Sequence, residues 1–164
     1  MKLRKIVVGF PVLFFGMIIS SCEPGDQEIK KLNRNDGIWT ITDMHYEYFD
    51  SVGVNVASDS TVSDVGELVF FTSQSADALY SGYTVVANMN QSNGTVLAVP
   101  GYIFYDSKRV YMQDSNASGT FPTEFQGVWT VDENKRNKQS WTQYYMDPNT
   151  GYLSARTTIH LTKK

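Results

Sequence analysis

From residue 36 to the end of the chain, apolar side chains fall on alternate positions. Val52, Val54 and Val56 form one such row, Tyr83, Val85, Ala87 and Met89 a second, and Leu153, Ala155, Thr157, Ile159 and Leu161 a third. Neighbouring side chains of a strand point to opposite faces, so a period of two marks strands with one buried face. Clusters of turn-forming residues separate the rows, at 50–51, 73–77, 90–94, 106–107, 114–119, 132–138 and 147–151. The pattern predicts strands at 38–49, 52–56, 67–72, 80–89, 95–105, 109–113, 125–131, 141–146 and 152–161. Asp147-Pro148-Asn149-Thr150-Gly151 predicts a hairpin turn between the last two. Pro100 predicts a bulge or strand end, because proline cannot donate to a ladder. The polar stretch holding Asp59 and Asp64 reads as a solvated loop.

None of the connections has room for a crossover helix, so strands must pair with their sequence neighbours. The fold class is therefore all-β: an up-and-down antiparallel barrel of eight or nine strands, whose closure removes open edges. A two-sheet β-sandwich is the alternative, and periodicity does not separate the two.

The opening segment has a different pattern. Lys2, Arg4 and Lys5 precede a run without charge from Ile6 to Ser21. That is a basic and then apolar stretch of signal-peptide length, too short for a spanning helix. It ends in Ile19-Ser20-Ser21-Cys22, which resembles the bacterial lipobox, with Ile where Leu is commoner. The resemblance implies cleavage before Cys22, acylation of that cysteine by palmitate-like chains, and a place on the outer membrane of a cell envelope. The organisation expected is thus a signal peptide at 1–21, a lipidated cysteine and polar tether at 22–36, and a barrel domain at 37–164. The tether reads as a coil about 20 Å long, with one helical turn at most near 28–32. Its Glu23, Asp26 and Glu28 resemble the acidic export signals of surface lipoproteins in the Bacteroidota.

Removing residues 1–21 takes away three cations and no acid, leaving 143 residues with 11 Lys and Arg against 17 Asp and Glu, net −6. An acidic chain argues against nucleic acid as a partner. It also predicts that lipid, and not a basic patch, supplies the hold on the membrane. A single cysteine excludes an intrachain disulfide.

Gly37-Ile38-Trp39, at the start of the first strand, resembles the lipocalin signature. In that family an arginine on the last strand packs over the tryptophan, and Arg156 is the matching candidate. The Trp-bearing Gly127-Val128-Trp129 and the closing Lys163-Lys164 complete a cadence similar to the lipocalin-like lipoproteins of the Bacteroidota, over residues 37–164. The resemblance implies a calycin-type barrel of eight strands, with Gly37, Trp39 and Arg156 closing one end and a cavity for a small apolar ligand.

The residues for catalysis are sparse. Asp43, His45 and Glu47 share one face of the first strand, and closure would bring His160 near them. An outward polar face explains them more simply than a metal site. Ser-His-Asp arrangements and glycine-rich phosphate loops are absent, so no enzyme, cofactor or metal is expected. The mature chain instead holds ten Tyr, three Trp and six Phe. Tyrosine suits a pocket with apolar walls and a wet mouth. Phe70, Tyr83, Phe104 and Tyr145 are the candidates for its interior. The function expected is binding of a small hydrophobic or amphipathic ligand by a membrane-anchored barrel. The alternative is an envelope protein-interaction or inhibitor module with a filled barrel. A cavity above about 300 Å³ with an open mouth favours the first, a packed interior the second.

Overall fold

The computed structural model describes residues 24–74, 83–92, 94–106, 108–115 and 121–164. The chain folds as eight strands: β1 (Ile38–Phe49), β2 (Val56–Gln74), β3 (Tyr83–Asn90), β4 (Val96–Asp106), β5 (Arg109–Asp114), β6 (Gly127–Asn134), β7 (Lys138–Met146) and β8 (Leu153–Lys163). Each pairs antiparallel with the next, and β8 returns to β1, so the sheet closes in sequence order. Of the two architectures open to the sequence, the barrel is the one formed. The signal segment, Cys22 and residues 80–82 of the predicted strand at 80–89 lie outside the described residues.

Three stretches differ from expectation. The expected strand at 52–56 is instead the β1–β2 hairpin turn up to Asn55, and only Val56 enters β2. The Asp50 N–H donates to the Asn55 carbonyl and the Gly53 N–H to the Asp50 carbonyl, at 2.9 Å each, to close the turn. The valines alternate because they sit on a tip and not on a buried face. Residues 57–66 are not a loop: they belong to a single β2 of 19 residues, and Ser58 to Ser63 pair one by one with Tyr48 to Asp43. Residues 57–64 are exposed on both faces, so no buried row marks them in the sequence. Pro100 neither ends nor bulges β4. It pairs with Val86 on β3, while the ladder with β5 starts one residue later, at Gly101 and Asp114. A strand with one free flank tolerates a residue that cannot donate.

The inward rows fill the lumen. Trp39, Trp129 and Trp141 are fully buried, with Met44, Phe70, Ile103 and Met112 between them. Trp141 stands edge-on to Phe70 and Tyr105, with ring centroids 6.1 and 5.9 Å apart, the geometry the aromatic quadrupole favours. Polar groups inside are satisfied in a chain. The Trp141 indole and the Tyr105 hydroxyl both donate to Gln139 Oε1, at 3.2 Å each, and Gln139 Nε2 donates to Asn134 Oδ1 at 2.8 Å. Among the described residues no buried side-chain nitrogen or oxygen lacks a partner. The outward rows are mainly polar, the reverse of a barrel whose wall faces lipid. No described helix is long and apolar enough to cross a membrane.

Both ends are stoppered. At one, α1 (Pro24–Asn33) packs on β2 and β4 and buries Ile29 and Leu32, three residues apart on one face. The segment expected as a coil tether is thus mostly part of the folded unit. The burial of Ile29 and Leu32 holds the segment together with the helix's own backbone hydrogen bonds and its polar links: Glu28 accepts from Asn134, and the Leu32 carbonyl from Trp39 and Lys163. At the other end, the connection between β5 and β6 inserts Phe121 and Phe125, with centroids 6.3 Å apart. A 3-10 turn at Thr123–Phe125 presents the Phe125 carbonyl, which accepts from the Trp129 indole at 2.9 Å.

Candidate functional site

At the α1 end the chain turns through a 3-10 segment, Asn35–Gly37, into β1. Gly37 sits at φ +69°, and a Cβ there would strike the Phe70 carbonyl oxygen, so the turn demands glycine. Trp39 follows, buried, and its indole donates to the Leu32 carbonyl at 2.8 Å. Gly37 and Trp39 both lie at this end of the barrel, against Phe70 and Leu32 respectively.

Arg156 does not. It faces out from β8 opposite Glu47, near the other end. The cation over Trp39 is Lys163, whose Nζ lies 4.9 Å from the ring centroid and donates to the Leu32 carbonyl at 2.8 Å. Parity explains the exchange: Ile159 and Leu161 point inward, so Lys163 continues their row while Arg156 falls on the opposite one. Burial lowers the Lys163 ammonium pKa, and the Asp36 charge partly restores it. Beside this pair lies a recess of about 300 Å³, lined by Lys31, Arg34, Asn35, Trp39, Asn134, Lys135, Arg136, Asn137, Gln139 and Lys163.

The far end is built differently. Arg156 makes a bidentate pair with Glu47, Nε to Oε2 at 2.5 Å and Nη2 to Oε1 at 2.6 Å, and stacks 5.7 Å from the Phe49 centroid. The guanidinium's hydrogen bonds hold the Glu47 carboxyl below its ordinary range. Beside them Tyr46, Tyr48, Tyr145, Ala155 and Thr157, with Glu124, frame a recess of about 270 Å³. Partial burial raises the phenol pKa values of Tyr46 and Tyr145, and the Tyr145 hydroxyl donates to Gln143 Oε1 at 2.7 Å.

Two hairpin tips flank that recess. Asp50 caps the first, accepting from the backbone N–H of Val54 and the side chain of Asn55, and Asp147 caps the second through the N–H groups of Asn149 and Thr150. The tips lean together so closely at Gly53, φ +71°, that a Cβ would meet the Leu153 backbone at 2.8 Å. Tyr48, Val52, Val54, Val56, Met146 and Tyr152 are all exposed on this rim, Val54 at 72%.

Of the four interior candidates, Phe70 and Tyr83 are buried core residues. Tyr145 lies at the rim, 38% exposed. Phe104 is on the outer wall, because Ile103 and Tyr105 take the inward positions of β4. It aligns with Tyr111 and Val128 across three strands, its ring 6.0 Å from that of Tyr111. Asp43, His45 and Glu47 do face outward together, and each has a cross-strand partner: His160 at 2.6 Å, Thr61 at 2.9 Å and Arg156. Among the described residues no three His, Cys, Asp or Glu side chains converge as a metal site.

Comparison with protein families, with curated proteins and with solved structures finds no match to this chain. The sequence alone singles out Trp39 and Lys163 of the α1 recess and the Asp147–Gly151 turn of the rim, but not Arg34, Arg136 or the pairing of the two hairpin tips. Lys163 was legible from the parity of β8; Arg34 and Arg136 meet only once the barrel closes.

Proposed function

We propose that this chain is a lipid-anchored envelope protein, held at the outer membrane through Cys22. Its filled, lipocalin-like barrel is a non-catalytic module that docks a partner protein on the far rim. One observation carries the choice of partner over ligand-in-barrel. The lumen is occupied by the chain's own side chains between two stoppers, while exposed apolar groups gather on the rim of the two hairpin tips. Exposed valine, methionine and tyrosine gathered on two adjoining tips have the composition of a protein-binding patch. The lipobox supports the address. The acid–base residues are engaged in cross-strand pairs on the convex outer wall, which favours a non-catalytic role.

A photo-crosslinking residue placed at Val54 or Tyr152 in intact cells tests the docking. The expected result is one discrete protein adduct from either rim position and none from Thr130 on the outer wall. Cys22→Ala is expected to lose palmitate labelling and to leave the membrane fraction. A stoichiometric lipid-sized adduct in native mass spectra, together with no rim adduct, would return the barrel to the ligand-binding reading.

A further inference from the structure

The strands alternate in direction, so their connections divide between two ends. Ten of the 11 Lys and Arg after residue 21 fall in α1, in or beside the β4–β5 and β6–β7 turns, or in the segment Arg34 and the last two residues. Arg156 is the exception. The far-end connections contain no Lys or Arg and hold Asp50, Glu124 and Asp147 instead. Acids share the α1 end, with Asp26, Glu28, Asp36, Asp106 and Glu133 in or beside the same segments, so the ten cations leave that end net positive while the far-end connections are net negative.

Five of those cations line the one recess beside Trp39: Lys31, Arg34, Lys135, Arg136 and Lys163. Among the described residues no carboxylate lines it. Three of the five are engaged: Lys31 with Glu28 at 2.6 Å, Lys135 with Glu133 at 2.5 Å, and Lys163 with the Leu32 carbonyl. Among the described residues no carboxylate lies within ion-pair distance of Arg34 or Arg136. Four side-chain amides, Asn35, Asn134, Asn137 and Gln139, complete the wall. Gathering like charges around a concavity costs repulsion, which a bound anion relieves. Two unengaged guanidiniums present planar forks of donors that match a phosphate.

We infer that this recess binds a phosphate group carried by its ligand. Two sources offer that group. α1 begins two residues after Cys22 and stoppers this same end, so an acylated Cys22 would set the recess against the phosphate layer of the anchoring membrane. A free phosphorylated solute offers the same chemistry. The inference goes beyond the docking reading and concerns the opposite end of the barrel. It also revises the expectation that no basic surface assists the anchor: the net charge conceals a local positive face.

The test uses the mature chain with Cys22→Ser, which removes the acyl chains and leaves every described residue in place. It is mixed with vesicles of phosphatidylcholine alone or with phosphatidic acid, and separately titrated with inorganic phosphate while the Trp39 indole N–H resonance is followed. Binding to the phosphatidic acid vesicles only is expected, weakened about tenfold by Arg34→Glu with Arg136→Glu. Lys108→Glu with Arg109→Glu makes the same charge change outside the recess and is expected to cost no more than about twofold. Both recess arginines are exposed, and the neutral pair Arg34→Gln with Arg136→Gln repeats the measurement with less perturbation. A lipid headgroup is the source if vesicles bind and inorganic phosphate leaves Trp39 unmoved. A free solute is the source if inorganic phosphate shifts Trp39 and displaces the vesicles. Binding to neither probe, or equal losses from the recess pair and the control pair, overturns the inference. The rim crosslinks are unaffected by either outcome, so the two proposals fail separately.

Discussion

The two mouths of the barrel are closed by different materials. At one, a ten-residue helix lays Ile29 and Leu32 over the opening and is tied into the lumen by polar links: Lys31 to Glu28, Glu28 to Asn134, Asn134 to Gln139, and Gln139 to Trp141. At the other, two phenylalanines drop in from a strand connection and are fixed by backbone contacts, Phe121 N–H to Asp114 and the Phe125 carbonyl to Trp129. The first mouth is cationic and rich in amides. The second is bordered by tyrosines, valines and acidic turns. The eight-stranded wall between them is common to both, so what distinguishes the ends lies in helix, turns and tips, where side chains vary without breaking a ladder.

The sharpest probe of this contrast removes each stopper. Phe125→Ala is expected to destabilise the fold by about 3–5 kcal/mol and Leu32→Ala by about 2–5 kcal/mol, both read from urea unfolding. The sites lie at opposite ends, so in the double variant the costs are expected to add within about 0.5 kcal/mol. A larger departure from additivity would mean that the packed lumen couples the two mouths. The next effect is smaller and local to the α1 mouth. Gly37→Ala forces a left-handed backbone and a collision with the Phe70 carbonyl, for an expected loss of about 1–3 kcal/mol in the same assay.

The smallest effect belongs to the far rim. Glu47→Gln removes the charge that Arg156 grips, a partly exposed pair worth about 0.5–1 kcal/mol. Because the folded carboxyl titrates below its unfolded value, this stabilisation is complete above about pH 4.3 and disappears as pH falls through the folded pKa. Melting curves of wild type and variant should therefore differ near neutrality and converge in acid. A gap that persists in acid would mean the glutamate acts through packing alone.

How much of this was readable in advance depends on whether burial left a mark. The β8 row from Leu153 to Leu161 has one wet and one dry face, so its strand, its parity and the inward Lys163 were all encoded. The middle of β2 is wet on both faces and left no row to read, although Ser58 to Ser63 are laddered to β1. In β4 both parities are apolar, Tyr102 and Phe104 against Ile103 and Tyr105, so the sequence could not say which faced in. α1 shows only Ile29 and Leu32 among polar neighbours, a pair too short to register as a helical stripe. The recess at its foot depends on Arg34 and Arg136, which are distant in sequence and meet through barrel closure.

The seam between β1 and β8 sets a condition on the order of assembly. Lys163 and Leu32 are 131 residues apart, and their hydrogen bond belongs to the junction that turns a curled sheet into a closed one. Loop-closure entropy opposes so distant a pairing until the intervening strands have condensed, which makes the seam a late event. Until then β1 waits with one edge unsatisfied, open to pairing with another chain. The eleven residues of β8 are thus the ones that protect the first strand from aggregation.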